Sequence, residues 1–477
     1  MKGVICEDGG DMHKKGHVFY RNLHRSYPLV DRGEGVYLYD SQGRRYLDGS
    51  GGSLVVSIGH GVKEVAEAAL SQMEKVSFAH TSQFTSAPQE ELAEALAKLA
   101  PGDLNRVIFV SGGSEATESA IKLARQYHLE RGKDKKYKII GRWRSFHGAT
   151  LGALSAGGQT VRRAPFNPLL LDFPHIPPAY CYRCPYGRPY PGCDLECAWE
   201  LERAVIGEGV ETISAFIAEP IVGAAAGALV PPPEYFRIIR EVCDRYDILF
   251  IADEVMTGMG RTGMPFAIEQ WGVTPDMIIT GKGISSGYAP LGAVIVSDRI
   301  CRVIEGGSGA FIHGHTYMGH PLSCAIGLAV LRYLEDHRLI ERAKRMGEAL
   351  MAELEQLKGH PLVGDVRGKG LMAALELVVD KASKTPFPRD LRVAEAVAGQ
   401  AFQKGLILYP GSGGADGLNG DHILIGPPFI ISEPEIKEMV RTLGEALDEI
   451  EKGLRDKSDP SKIYPSTHLL PIGEKVG

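Results

Sequence analysis

The stretch Asp276-Met-Ile-Ile-Thr-Gly-Lys-Gly-Ile-Ser-Ser-Gly-Tyr-Ala-Pro-Leu-Gly-Ala293 decides how the rest of the chain is interpreted. An apolar run of strand type ends at Gly281, Lys282 follows, and a second apolar run covers 291–296. Glycine on both sides of the lysine lets the backbone approach a bulky group. A lysine between buried strands can form a Schiff base with an aldehyde cofactor. Taken alone, the stretch is more typical of an ordinary turn lysine, so the interpretation depends on other strand ends.

Composition indicates an ordinary globular enzyme. The chain has 477 residues, which favours two or more domains, with 44% hydrophobic and 23% charged residues. A net charge of -6 argues against nucleic acid as the main partner. No stretch approaches the ~18 apolar residues of a membrane span. The first residues contain no apolar signal core, so we expect a cytoplasmic protein without membrane partners.

Four of the eight cysteines form the pattern Cys181-x2-Cys184-x8-Cys193-x3-Cys197 in a segment rich in Pro, Tyr and Gly. Four thiols can hold a zinc ion, but the second gap is long and the distance between pairs is short for a zinc ribbon. We favour unbound packing thiols, with a metal ion or disulfides as alternatives. The scattered cysteines are interpreted as reduced, buried thiols, and they are Cys6, Cys243, Cys301 and Cys324.

A short apolar strand at 107–110 leads into Ser111-Gly-Gly-Ser and then into a segment with helical spacing. A strand, a Gly/Ser turn and a helix N-terminus together form an anion site, because free N–H groups and the positive end of the helix dipole face one point. Gly112, Gly113 and Ser114 are the candidates. The nucleotide P-loop pattern is missing, so a single small phosphate fits better than a triphosphate. A well-capped helix is the alternative.

Further candidates follow other short apolar strands. Phe146 and His147 come soon after 138–141, Glu219 follows a buried run, and Asp253 ends another. Apolar runs that alternate with helices predict a parallel sheet covered on both faces, which binds ligands at the carboxyl ends of its strands. A carboxylate there needs a cationic or N–H partner. An aromatic ring there can lie flat on a ligand ring, although one such residue is more often part of the core.

The expected fold class is therefore α/β, with a second domain. A hairpin is predicted from Gly35 to Gly49, and from Val363 onward the composition shifts to an α+β pattern. We assign residues 1–70 to the N-terminal part of a small domain, 71–330 to a large domain, and 331–477 to the C-terminal part of the small domain. The tail from residue 457 is expected to be a surface arm.

These candidates together match the needs of one cofactor. Pyridoxal 5'-phosphate requires a phosphate anchor, an aromatic ring for stacking, a carboxylate to keep its pyridine nitrogen protonated, and an amine that bonds to its aldehyde. The chain offers all four in the order Ser114, Phe146, Asp253, Lys282. Each one alone is common, but chance placement of all four at predicted strand ends is improbable.

At this point the sequence resembles the class III aminotransferases of pyridoxal-phosphate fold type I, over roughly residues 35–450. The matching stretches are Tyr46-Leu-Asp-Gly, Ser111-Gly-Gly-Ser-Glu-Ala, Ser145-Phe-His-Gly, Ala218-Glu-Pro, Ala252-Asp-Glu-Val with Gly260-Arg-Thr-Gly, Thr280-Gly-Lys-Gly, His315-Thr-Tyr with Gly319-His-Pro, and Gly426-Pro-Pro. The resemblance implies a large domain with a mostly parallel central sheet. It also implies a smaller α+β domain built from N- and C-terminal segments.

The resemblance also implies roles for single residues. Lys282 would form the Schiff base and later move the proton, for which burial would have to depress its pKa. Asp253 would pair with the pyridine N–H, and Thr316 would reach the phosphate of a neighbouring protomer. A homodimer is therefore expected, with a tetramer as the larger alternative. The other cofactor-binding residues are expected to be Gly112, Gly113, Ser114, Phe146, His147, Glu219 and Val255, and no metal is expected at the site.

The implied reaction is transamination from an amine or ω-amino acid to pyruvate or 2-oxoglutarate. Relatives that act on γ-aminobutyrate or ornithine often carry Arg where this chain has Ala149. Relatives that bind an α-carboxylate through an Arg just before the Pro-Pro turn have their counterpart here in Leu424. Amine:pyruvate relatives often use a mobile Arg on the preceding loop, but the loop 410–420 has none. These departures favour amine or ω-amino-acid donors.

The sequence does not decide which residue receives a substrate carboxylate, and Arg162, Arg163 and His422 remain candidates. Alternatives on the same scaffold are an aminomutase, a 7,8-diaminononanoate-type aminotransferase and a decarboxylating relative. A non-catalytic binding protein is disfavoured because both Lys282 and Asp253 are present.

Overall fold

The computed structural model describes residues 17–455, so the expectations for Cys6 and for the arm from residue 457 fall outside the described part. The strands in this part are β1 (Val30–Glu34), β2 (Tyr37–Asp40), β3 (Arg45–Asp48), β4 (Leu104–Val110), β5 (Lys138–Arg142), β6 (His175–Ile176), β7 (Ile213–Ala218), β8 (Leu249–Asp253), β9 (Met277–Thr280), β10 (Gly292–Ser297), β11 (Val363–Lys369), β12 (Met372–Asp380), β13 (Thr385–Pro386), β14 (Leu406–Ile407), β15 (Tyr409–Gly411) and β16 (Asp421–Ile425).

The helices of the same part are α1 (Gly51–Leu54), α2 (Lys63–Lys75), α3 (Ala87–Leu99), α4 (Gly113–Glu130), α5 (Leu151–Ala156), α6 (Thr160–Arg163), α7 (Glu196–Glu208), α8 (Tyr235–Arg245), α9 (Asp298–Gly306), α10 (Pro321–Asp336), α11 (Leu339–Glu355), α12 (Val393–Gln403) and α13 (Glu433–Arg455). None of these helices is long and apolar enough to cross a bilayer.

A seven-stranded sheet forms the centre of the molecule, in the order β4-β10-β9-β8-β7-β5-β6. From β9 to β6 neighbouring strands are parallel, and β10 is antiparallel to both of its neighbours. Every residue of β7, β8, β9 and β10 is buried, because helices cover both faces. The predicted α/β fold with a mostly parallel central sheet is confirmed.

The two ends of the chain meet in a second sheet, β1-β2-β3-β14. Leu406 pairs with Leu47 in parallel register, so the C-terminal segment completes a sheet begun by the predicted hairpin. A third, antiparallel sheet, β11-β12-β16-β15, lies in the C-terminal part. This pairing agrees with a smaller unit built from both ends, while the boundaries at residues 70 and 330 stay a prediction.

Two helices begin later than their periodicity predicts. Apolar spacing in the sequence predicts helices at 389–404 and 337–357, but these helices start at Val393 and Leu339. In both cases the preceding residue, Arg392 or Arg338, has a positive φ, of 47° and 48°. The left-handed backbone breaks the helix at that point, which apolar spacing does not reveal.

The cysteine segment is attached to β12 by a buried ion cluster. Glu376 of β12 accepts hydrogen bonds from Tyr180 and Arg183 on one side and from Arg367 on the other. The seven cysteines of the described part are free thiols. Among residues 17–455 no three of their sulfur atoms lie within 4.8 Å of one another, whereas a zinc ion would need them closer.

Candidate active site

Three neighbouring strands of the central sheet end at one edge. β7, β8 and β9 are parallel, and their register pairs Ala218 with Ala252 and Asp253 with Ile279. Glu219 follows β7, Asp253 ends β8, and Lys282 lies two residues beyond β9. Because the carboxyl ends of parallel strands share an edge, the structure brings these three side chains together.

Lys282 opens a short 3-10 turn with φ of 45°, a left-handed conformation that only a constrained surrounding maintains. The side chain is half-buried and extends among charged groups. Burial lowers the pKa of the Lys282 ammonium to about 8, although the Asp253 and Glu219 carboxylates act in the opposite direction. The amine is therefore much closer to its neutral, nucleophilic form than an ordinary lysine at neutral pH.

Asp253 is 3% exposed and has two protein partners. Its Oδ1 accepts a hydrogen bond from the Val255 N–H at 3.0 Å, and its Oδ2 lies 2.6 Å from Nδ1 of His147. Nδ1 must carry the proton in this contact because a carboxylate only accepts. His147 is itself held by Thr117 of α4, whose hydroxyl donates to the His147 carbonyl at 2.7 Å. The pair fixes a negative charge at the strand edge.

Glu219 is 4% exposed and accepts hydrogen bonds from the N–H groups of Phe146 at 3.3 Å and Gly223 at 3.1 Å. Burial raises the pKa of its carboxyl group. Its backbone carbonyl accepts from the fully buried Arg142, which ends β5. Arg142 was not among the residues predicted from the sequence, although a charged residue that closes an apolar strand is the signal that identified Asp253.

The predicted anion site lies at the start of α4. Ser114 Oγ accepts the Ala149 N–H at 3.1 Å and keeps its own proton to donate. A Cβ added at Gly112 would meet no atom within 4 Å, so open space adjoins the helix N-terminus. A Cβ at Gly113 would lie 3.0 Å from Val255, so a glycine is needed there for close packing. The first N–H groups of a helix lack intrahelical acceptors, and an anion can therefore bind here.

Phe146 and Val255 line the same space as half-buried side chains. Phe146 packs against a small cluster that contains Tyr180 and Val222. Above its ring, 4.5 Å from the centroid, lies the guanidinium carbon of Arg162 from α6. The structure thus adds a cation that the sequence offered only as one of three candidates.

Thr316 is the one predicted site residue in the described chain whose side chain is exposed. It is exposed, on a loop whose neighbours Ile312 and Tyr317 are 80% and 59% exposed. Its expected contact with a second protomer stays a prediction.

The arrangement fits pyridoxal 5'-phosphate on three independent counts. The open cradle beside Gly112 suits a phosphate, and the buried Asp253 carboxylate suits a protonated ring nitrogen. The Lys282 amine, with its depressed pKa, suits an aldehyde. These three features lie at the ends of different strands or helices.

The comparison with protein families agrees with this chemistry. The family model described as "Aminotransferase class-III" matches residues 19–447. The chain is 43% identical to the uncharacterized aminotransferase YodT of Bacillus subtilis, covering 91% of this chain and 98% of the relative. It is 36% identical to the putrescine–pyruvate aminotransferase of Pseudomonas aeruginosa, covering 92% and 94%.

Solved structures agree as well. An omega transaminase from Pseudomonas jessenii, described in complex with PMP, superposes with a TM-score of 0.85 at 34% identity. The match covers 95% of this chain and 97% of that one, so the likeness extends over the whole described fold.

Proposed function

Because the chain belongs to the class III aminotransferases, we propose that it transfers the amino group of an amine or ω-amino acid to a keto acid, either pyruvate or 2-oxoglutarate. Aminotransferases of this class depend on pyridoxal 5'-phosphate. One observation carries the proposal: the Lys282 amine and the buried Asp253 carboxylate meet at one edge of the central sheet. The P. aeruginosa relative, named for putrescine and pyruvate, supports an amine donor and pyruvate as acceptor.

When bound, pyridoxal 5'-phosphate supplies an aldehyde that bonds to amines and a protonated ring that withdraws electrons from the substrate carbon. Asp253 would accept the ring N–H, and His147 keeps that carboxylate oriented through the 2.6 Å contact. Phe146 and Val255 would hold the ring between them. The phosphate would be held by Gly112, Gly113 and Ser114.

Lys282 would hold the aldehyde and then act as the proton carrier. A base works best when its pKa lies near the working pH, and burial brings the pKa of Lys282 to about 8. The neutral amine can take the proton from the substrate carbon and return it to a neighbouring atom. The Glu219 and Asp253 charges stabilise the protonated lysine in between.

The test is a visible absorption titration of the purified enzyme with amines, ω-amino acids and keto acids. A band near ~420 nm should disappear on adding the donor and return with pyruvate or 2-oxoglutarate. An aminomutase would instead turn over its substrate without an external keto acid. Absence of the band, or the same band in Lys282→Ala, contradicts the proposal.

We also propose a homodimer in which Thr316 serves the partner's site. The exposed apolar side chains Phe84, Ile312 and Tyr317 support an interface on this side, with exposures of 66%, 80% and 59%. Mixing inactive Lys282→Ala and Thr316→Asp protomers should restore activity, because one site of the mixed dimer is then intact. No restoration in a verified mixed dimer would place Thr316 at its own site or at none.

The cytoplasmic location expected from the sequence stays a prediction, and fractionation of cells that produce the protein tests it.

A further inference from the structure

Arg162 is an unpaired cation at the edge of the proposed active site. Its guanidinium carbon lies 4.5 Å from the centre of the Phe146 ring, and the side chain is half-buried. Its positive charge lowers the pKa of Lys282, which places it within electrostatic reach of that amine. Within residues 17–455 its guanidinium makes neither an ion pair nor a hydrogen bond with an oxygen. A partly desolvated cation without a counter-charge is unfavourable, so the site is suited to an incoming anion.

The neighbouring Arg163 is occupied by the protein itself. Its Nη1 donates to the carbonyl oxygens of Leu154, Ser155 and Gly157 at 2.9, 2.8 and 2.7 Å. The three bonds close the end of α5, so Arg163 has a structural role.

The remaining sequence candidate, His422, and a further arginine near Lys282, Arg261, are also excluded. Arg261, which influences Lys282 as well, is 2% exposed and donates to backbone carbonyl oxygens, including that of Leu371 at 3.1 Å. His422 is 1% exposed, and burial lowers the pKa of its imidazole to about 4, so it is neutral at working pH. Its Nε2 lies 3.2 Å from the Ala224 carbonyl oxygen. Of the two described arginines that lower the pKa of Lys282, only Arg162 has guanidinium N–H donors without a protein acceptor.

The local packing explains why the cation comes from α6. The loop that follows β15 has no arginine, and it lies directly against this helix. A Cβ at Gly417 of the loop would stand 2.7 Å from Oγ1 of Thr160, two residues before Arg162. The loop thus contacts α6 at Thr160, while Arg162 of the same helix contacts Phe146.

We infer that Arg162 binds the carboxylate of the keto-acid acceptor, an inference that rests on the proposed function. The planar guanidinium can bind both carboxylate oxygens at once. The Phe146 ring beneath it orients the guanidinium plane through a cation–π contact. A carboxylate-free amine needs no such partner, so one site accepts simple amines as donors and keto acids as acceptors.

The experiment compares wild type, Arg162→Met and Arg162→Lys in the two half-reactions. A control variant is Arg302→Met, whose side chain on α9 is 69% exposed and remote from the site. The first half-reaction uses 1-butylamine, and the return reaction uses pyruvate or, without a carboxylate, propanal. Arg162→Met should raise the KM for pyruvate about 30- to 100-fold, the effect of losing a charge-assisted hydrogen-bonded pair. Rates with 1-butylamine and propanal should stay within about threefold, and Arg162→Lys should recover part of the loss.

A second readout needs no turnover. The rate at which pyridoxal labels Lys282 in the apoenzyme depends on pH. Propionate bound at Arg162 should raise the midpoint of this pH dependence in wild type but not in Arg162→Met. If wild type lacks both half-reactions, the proposed function fails and the inference falls with it. The inference alone is overturned if wild type is active but Arg162→Met leaves the KM for pyruvate unchanged. It is also overturned if Arg162→Met impairs the reactions with pyruvate and with propanal equally.

Discussion

The depressed pKa of Lys282 makes a quantitative prediction for the apoenzyme. With a pKa of about 8 in place of 10.5, the neutral fraction of this amine at pH 7 is about 10% rather than about 0.03%, a difference of roughly 300-fold. Since only the neutral amine attacks an aldehyde, Lys282 should outcompete the surface lysines for pyridoxal. The labelling rate should rise with pH and level off above a midpoint near 8.

The sign of each neighbour's influence supplies the controls. Asp253→Asn removes the carboxylate that raises the pKa most, so the midpoint should fall below that of wild type, and Glu219→Gln should lower it less. Arg162→Met removes a cation that lowers the pKa, so the midpoint should rise. Two of these midpoint shifts are downward and one is upward, although all three substitutions lie in one small site.

Stopped-flow absorbance of the pyridoxal imine between pH 6 and 10 measures the midpoint, with Lys282→Ala as the blank. A wild-type midpoint above pH 10 would mean that burial does not perturb the amine. A higher midpoint in Asp253→Asn would refute the electrostatic reasoning even if the wild-type value agrees.

Three further predictions concern the supports of the site. His147→Gln should weaken cofactor affinity about 10-fold, because Asp253 loses the imidazole N–H that holds it. Absorbance titration of apoenzyme with the cofactor measures this affinity, and an unchanged value would show that the contact is dispensable. Gly113→Ala should weaken cofactor affinity and destabilise the fold by about 1–3 kcal/mol, because the added Cβ would lie 3.0 Å from Val255. Thermal unfolding measures the loss of stability, and a melting temperature equal to that of wild type would contradict it. Glu376→Gln should destabilise the protein by about 3–5 kcal/mol, because two half-buried arginines lose their shared, buried carboxylate. Urea unfolding without a lower midpoint would contradict this.

The strand ends were readable from the sequence because their physics is local. The runs before Asp253 and Lys282 are apolar throughout, which indicates strands buried on both faces, and a polar residue that ends such a run must lie at the sheet edge. The same reasoning extends to Arg142, where the predicted strand was ended one residue early.

Contacts between distant segments could not be read in this way. Nothing in the spacing of Phe146 and Arg162 shows that a guanidinium lies over that ring, because the chain turns through two short helices between them. The strand β1 was missed because four of its five residues are exposed and three are charged, so it has no apolar alternation. Both features are set by tertiary packing.

Borohydride reduction followed by peptide mass mapping shows whether Lys282 holds the cofactor and releases it to the amine donor. The reduced cofactor should be attached to Lys282 alone. The label should disappear after incubation with an amine donor and return when pyruvate or 2-oxoglutarate is added. A label on another lysine, or a label on Lys282 that neither donor nor acceptor changes, would show that Lys282 does not have this role.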